Sequence, residues 1–199
     1  AKRIAWSKTI NAGQTCIAPD YLLVHNSIKE ALMKEIDCAW NEMYGSPVLA
    51  SPNYPKIIHQ RHFDRLVKLL DSSKIKFGGA VNKETCQIAP TILKDVSTDD
   101  PIMQEEIFGP LLPVIGFDTI EEALALIHKF EKPLAVYYYG NSSKAKPVLN
   151  KISSGGACIN DAMMHMANPN LPFGGVGHSG FGAYHGYNSF LCFSHRKSV

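Results

Sequence analysis

The chain has 199 residues, 45% of them hydrophobic, which is long and apolar enough for one domain with a substantial core. Its 20 basic and 18 acidic residues are spread along the sequence and leave a formal net charge of +2, so no basic stripe or acidic tail points to nucleic acid. Five cysteines, at positions 16, 38, 86, 158 and 192, form no CxxC pair and leave an odd one over, a pattern that speaks against a disulfide framework or zinc and for reduced thiols in a cytoplasmic setting.

In chain order, Ala1-Lys2-Arg3-Ile4-Ala5-Trp6 begins basic but lacks the apolar run of a signal peptide, and no later run reaches the ~18 apolar residues that would span a bilayer. The next stretch, Asn11-Ala12-Gly13-Gln14-Thr15-Cys16-Ile17-Ala18-Pro19-Asp20, is a polar turn carrying a cysteine. A thiolate is the reactive form of cysteine and needs positive potential, such as backbone N–H groups, to form readily. Gly13 permits a tight bend and close approach of a substrate, while Gln14 and Thr15 offer hydrogen bonds at its edge. Cys16 is therefore the candidate nucleophile, with Gln14 and Thr15 as substrate-lining residues; the alternative is a buried free cysteine acting as a small hydrophobe.

Tyr21–Val24 reads as a buried strand. A helix over 27–44 follows, with a Ser27/Glu30 capping box, an apolar face of Ile28, Leu32, Ile36, Ala39, Trp40 and Met43, and Gly45 to end it. The proline-rich stretch from Ser46 to Pro55 is a surface connection, and a second helix covers roughly 59–70 with Phe63, Leu66, Val67 and Leu70 on one side. Its His59 and His62 stand at i, i+3, but no third ligand is spaced with them, so no metal role is assigned. Short strands are expected between Lys74 and Val96, and a further strand over 111–117 whose Pro113 calls for an edge position or a bulge. Thr119 and Glu122 open a third helix, Leu134–Tyr139 is a strand, and Pro147 should delay or kink the helix expected over 143–152 before the strand at Gly156–Asn160.

Strands alternating with amphipathic helices imply an α/β fold with a doubly wound parallel sheet. Beyond Asp161 the sequence is loop-rich, and the closing alternation Ser189-Phe190-Leu191-Cys192-Phe193 reads as an edge strand or dimer arm. Gly175-Val176-Gly177-His178-Ser179-Gly180 matches GxGxxG literally, yet prolines precede it where a strand should stand, so it is read as a loop and not as a phosphate cradle.

Three stretches resemble the aldehyde dehydrogenase family: the Cys16 turn, Glu105-Glu106-Ile107-Phe108-Gly109-Pro110, and Leu171-Pro172-Phe173-Gly174-Gly175-Val176-Gly177. Thr-Cys-Ile-Ala-Pro-Asp-Tyr and Gly-Ala-Tyr-His-Gly followed by Ser-Phe are similar to its class 3, or fatty aldehyde dehydrogenase, branch. The resemblance implies that Cys16 attacks the aldehyde carbon and that Glu106 and Phe108 contact the nicotinamide ribose and ring of NAD or NADP. It also implies that Phe173 lines the substrate entrance. By the same resemblance, residues 1–186 form a catalytic, thiol-bearing domain and 187–199 an oligomerisation tail, with Phe190 and Phe193 supplying contact in a homodimer. The nucleotide-binding domain, the oxyanion asparagine and the base for deacylation normally precede the cysteine motif. The sequence thus reads as the catalytic domain of a longer enzyme, inactive by itself. Two other readings stay open from the residues: a cysteine hydrolase or acyltransferase pairing Cys16 with His185 or His178, and a non-enzymatic dimerisation module.

Overall fold

A computed structural model describes residues 1–199. By packing, the chain divides into two units, Ala1–Thr119 and Ile120–Val199.

The first unit opens with α1 (Lys2–Thr9), a helix that the sequence pattern does not announce, because most of its buried side is polar: Ser7, Lys8 and Thr9 lie under the surface with Ile4 and Ala5. The hydroxyls are satisfied locally, Ser7 Oγ donating to Ile4 O at 3.1 Å and Thr9 Oγ1 to Ala5 O at 2.8 Å, which makes their burial tolerable. Strand β1 (Leu22–His25) leads into α2 (Lys29–Tyr44), which packs on α1 through Met33, Ile36, Ala39 and Trp40. The Trp40 indole N–H donates to Ala5 O at 3.0 Å, so the largest core side chain carries its polar edge to a partner. The stripe expected on α2 holds in its middle, while its ends, Ile28 and Met43, are exposed. Its entry also differs from the expected capping box. The His25 imidazole accepts from Ser27 N, and Glu30 reaches instead to Lys76 Nζ at 2.9 Å. Gly45, at φ 82°, ends the helix as expected.

Helix α3 (Gln60–Lys68) is capped by His59, whose Nδ1 accepts from His62 N at 3.1 Å. Strands β2 (Ile75–Phe77), β3 (Val81–Asn82), β4 (Gln87–Ile88), β5 (Thr91–Leu93) and β6 (Leu111–Phe117) complete the unit. The main sheet runs β1-β6-β5-β2, with β1 and β5 parallel to β6 and β2 antiparallel to β5; β3 and β4 form a separate pair. Pro113 therefore lies in a central strand, not at an edge. It is tolerated because Leu111–Pro113 pair with β5 and Val114–Phe117 pair with β1, so the residue without an N–H falls where one ladder hands over to the other.

In the second unit, α4 (Ile120–Ile127) precedes the parallel pair β7 (Ala135–Tyr138) and β8 (Gly156–Ile159), with α5 (Ser142–Leu149) between them. Of the two outcomes expected at Pro147, the late start is not seen: α5 begins at Ser142, where Asn141 Oδ1 accepts from Ser143 N at 2.9 Å and fixes the first turn, and the proline lies within the helix. Short α6 (Met164–Ala167) follows. The glycine-rich segment is closed at its base by Phe173 and Tyr184, which exchange two backbone hydrogen bonds of 3.0 Å, and it contains one 3-10 turn, Gly177–Ser179. The edge strand expected at Ser189–Phe193 is instead helical, α7 (Gly186–Cys192). His185 N donates to Ser189 Oγ at 2.9 Å, and this bond holds the first turn where side-chain alternation alone suggested a strand. α7 also spans position 186/187, where the sequence reading places the start of the tail.

Candidate active site

Cys16 stands exposed in a tight turn that Ala18 N closes on Thr15 O at 2.9 Å, while its neighbour Ile17 is buried beneath it. The chain enters that turn through three successive left-handed residues, Asn11, Ala12 and Gly13, at φ 52°, 53° and 73°. For Ala12 this conformation costs roughly 1–2 kcal/mol, and the residue is held there by complete burial. Gly13 is required twice over, by its φ and by space: a Cβ there would come within 2.2 Å of Gly109 O. The cysteine turn thus rests directly on the backbone of the Ile107-Phe108-Gly109-Pro110 stretch.

Gln14 braces the turn. Its Nε2 donates to Asn11 O at 2.8 Å and Lys56 O at 3.1 Å, and its Oε1 accepts from Ile58 N at 2.9 Å. Both donors are spent on backbone and the residue is 8% exposed, so its side chain is committed to bracing the turn. Thr15 is half-buried beside Cys16.

Beneath lies a group of charges that sequence reasoning did not single out. Lys8, 1% exposed, donates from Nζ to Pro19 O at 2.7 Å. Burial pushes its ammonium down to about 8, against the opposing pull of the Asp20 and Glu106 carboxylates. Asp20 Oδ1 accepts from Ile107 N at 3.0 Å. Burial pushes its carboxyl up, while Lys8, the Ile107 N–H and Arg65 draw it back. Residues on both sides of Cys16 are in this way tied to the loop that carries Glu106.

Glu106 and Phe108 both stand at the surface, Phe108 in the left-handed region at φ 51°. Partial burial and the Asp20 carboxylate push the Glu106 carboxyl up, with Arg65 and Lys8 opposing. Glu105 is exposed and paired with Arg65 at 2.9 Å. Next to Phe108 opens a depression of about 870 Å³ lined by Ile58, His59, Arg61, His62, Arg65 and Lys68 among others. Basic side chains, with Asp64 among them, thus stand next to an exposed aromatic ring and an adjoining carboxylate.

The second unit holds Phe173, half-buried, its ring 5.9 Å from that of His165, 5.9 Å from His185 and 5.8 Å from Tyr184. His165 also lies 3.3 Å from Cys158 Sγ. His178 pairs with Glu131 at 3.2 Å. The two histidines proposed as partners of Cys16 thus have contacts of their own within this unit.

The chain belongs to the aldehyde dehydrogenase family, whose model matches residues 1–199. More particularly, it is 49% identical to rat aldehyde dehydrogenase family 3 member A2, over 98% of this chain and 41% of that protein. It is 46% identical to mouse dimeric NADP-preferring aldehyde dehydrogenase, over 99% of this chain and 44% of that one. Among solved structures, the substrate-bound state of Staphylococcus aureus AldH superposes with a TM-score of 0.94 at 45% identity, covering 100% of this chain and 45% of that chain. The chain therefore spans less than half the length of each of these relatives.

Proposed function

We propose that this chain is the thiol-bearing part of an NAD(P)-dependent aldehyde dehydrogenase that oxidises medium- or long-chain aliphatic, or aromatic, aldehydes to carboxylic acids. The observation that carries the reading is the seating of one loop on the other. Gly13 packs on Gly109 O and Asp20 holds Ile107 N, so an exposed cysteine and an exposed Glu–Phe pair are fixed in one body. A nucleophile and a cofactor contact with a common support are what covalent capture followed by hydride removal requires.

In this reading the Cys16 thiolate bonds to the aldehyde carbon, and the carbonyl electron pair moves onto oxygen. The oxyanion is met in part by the Cys16 backbone N–H. A bound nicotinamide supplies the hydride acceptor; Glu106 holds its ribose hydroxyls and Phe108 packs near its ring. The substrate carbon, two electrons poorer, stays on sulfur as a thioester. Water then adds, the C–S bond breaks with its electron pair returning to sulfur, and the carboxylic acid leaves. Phe173 lines the substrate entrance. The NADP preference in the name of the mouse relative supports a phosphate-tolerant cofactor site.

The enzyme acts in the cytoplasm as a homodimer, with the exposed Tyr187, Phe190 and Phe193 as contact residues; five free cysteines and the relative named dimeric support this part of the reading. No helix is long and apolar enough to cross a membrane. The test is aldehyde-dependent NAD(P)H formation by the full-length protein, which should vanish in Cys16→Ala. An unchanged rate in that variant would sink the assignment.

A further inference from the structure

Resting on that reading, we propose that His62 and Arg65 are positioning residues for the cofactor step. From α3 they grip the main-chain carbonyls of Glu106, Ile107 and Phe108 and thereby fix where the Glu106 carboxylate and the Phe108 ring stand.

Three consecutive carbonyls are taken by two side chains one helical turn apart. Arg65 Nη1 donates to Glu106 O at 3.3 Å, Arg65 Nη2 donates to Ile107 O, and His62 Nε2 donates to Phe108 O at 2.7 Å. The grip is cross-braced, because Arg65 Nε–H faces His62 Nδ1 at 3.4 Å and Arg65 Nη1 also pairs with Glu105 Oε1 at 2.9 Å. Guanidinium is well suited here because its planar fork reaches two adjacent acceptors at once, which a lysine cannot do.

The grip has something to hold. Phe108 lies at φ 51°, a conformation that a bulky L-residue adopts at a cost of about 1–3 kcal/mol and keeps only when its surroundings over-determine it. On one side of the loop α3 supplies Leu66, so close under Gly109 that a Cβ there would fall 2.6 Å from its methyl group. On the other side lies Gly13 of the cysteine turn. Packing thus fixes the height of the loop, and the carbonyl grip fixes the rotation of its peptide planes, which sets the direction of the Phe108 ring.

The hydrogen bonds also define the state of the imidazole. A carbonyl cannot donate, so His62 Nε2 carries the proton, and Nδ1 must be bare to face the Arg65 N–H. Protonation of Nδ1 would set two N–H groups against each other. The charged and titratable groups around the ring are Arg65 and His59, which disfavour its cation, and Glu105, which favours it. Burial is the largest influence and disfavours the cation, the Phe108 carbonyl opposes it, and the balance of all these holds the imidazole below its ordinary value. Protonation leaves the Nε2–H bond to Phe108 O in place and breaks the cross-brace to Arg65, so the grip is braced at neutral pH and loses that brace on acidification below the ordinary histidine value near 6.5.

The experiment is steady-state kinetics of the full-length enzyme with NAD and with NADP between pH 5.5 and 8, paired with cofactor dissociation constants from calorimetric titration without aldehyde, which should follow KM, for wild type, His62→Gln, His62→Ala and Arg65→Leu. Glutamine keeps a donor and an acceptor but does not titrate. The expected result is a cofactor KM raised roughly tenfold or more in His62→Ala and Arg65→Leu, with kcat less affected. In wild type the cofactor KM should climb as pH falls, whereas His62→Gln should hold a near-wild-type KM that stays flat. KM does not depend on how much enzyme has folded, so a purely structural role would leave it unmoved. Values within twofold of wild type in both truncations, or a His62→Gln profile that follows wild type, overturn the assignment while leaving the proposed function standing. A wild-type protein that reduces neither cofactor with any aldehyde overturns the functional reading on which it rests.

Discussion

Cys16 stands on an exposed turn braced from below, whereas Cys158, half-buried on β8, lies 3.3 Å from the Nδ1 of a histidine that is itself 8% exposed. A thiol beside an imidazole is the usual picture of an activated nucleophile. Here burial works against it: desolvation pushes the Cys158 thiol up and the His165 imidazole down, so both favour the neutral state and the proton stays on sulfur. Cys16 owes its candidacy to access and to a backbone that cannot drift. A nearby histidine does not by itself make a nucleophile; the solvent around the pair decides which charge state it keeps.

Removing each sulfur in turn tests the two cysteines most directly. In the full-length protein Cys16→Ala should lower aldehyde-dependent NAD(P)H formation by on the order of 10³-fold or more, and Cys158→Ala should leave it within about twofold. The opposite pattern would reverse the two roles. Next in size is Gly13→Ala, which must find room for a methyl group 2.2 Å from Gly109 O at a φ of 73°. A loss of about 2–4 kcal/mol is expected in urea unfolding, with activity falling as the two loops part. Wild-type stability would mean that the cysteine turn does not need its seat.

Gln14→Ala removes two donors and one acceptor for backbone groups and should cost about 1–3 kcal/mol in the same measurement. A raised KM for aldehyde at unchanged stability would show instead that Gln14 acts on substrate and not on the turn. The mildest effect concerns alkylation. At pH 7.5 iodoacetamide should label Cys16 about tenfold faster than Cys158, and the Cys158 rate should rise as pH passes the ordinary thiol value near 8.5. Peptide mass mapping over time checks this, and equal rates at pH 7.5 would remove the contrast.

Helices α2 and α3 were legible in the sequence because each buries apolar residues at steps of three and four, and the short strands because glycines and prolines punctuate them. Helix α1 was not, since Ser7, Lys8 and Thr9 take buried positions that an apolar pattern would need to fill. Helix α7 was misread because five residues of alternating character fit a strand as well as two turns of helix. At the site, Cys16, Glu106 and Phe108 carry recognisable motifs. Lys8, His62 and Arg65 carry none, because their partners are backbone carbonyls, which every residue possesses and no sequence pattern records.

The handover at Pro113 bears on the order in which the first unit assembles. The β5 ladder joins segments close in the chain, so closing it costs little entropy, while β1 must be brought to β6 from the far end of the unit. Since no amide at Pro113 couples the two ladders, they are able to open separately. Amide hydrogen exchange should then find Leu111 and Leu112 protected together with β5, and Val114 to Phe117 released together with β1, the strand that follows directly from the cysteine turn.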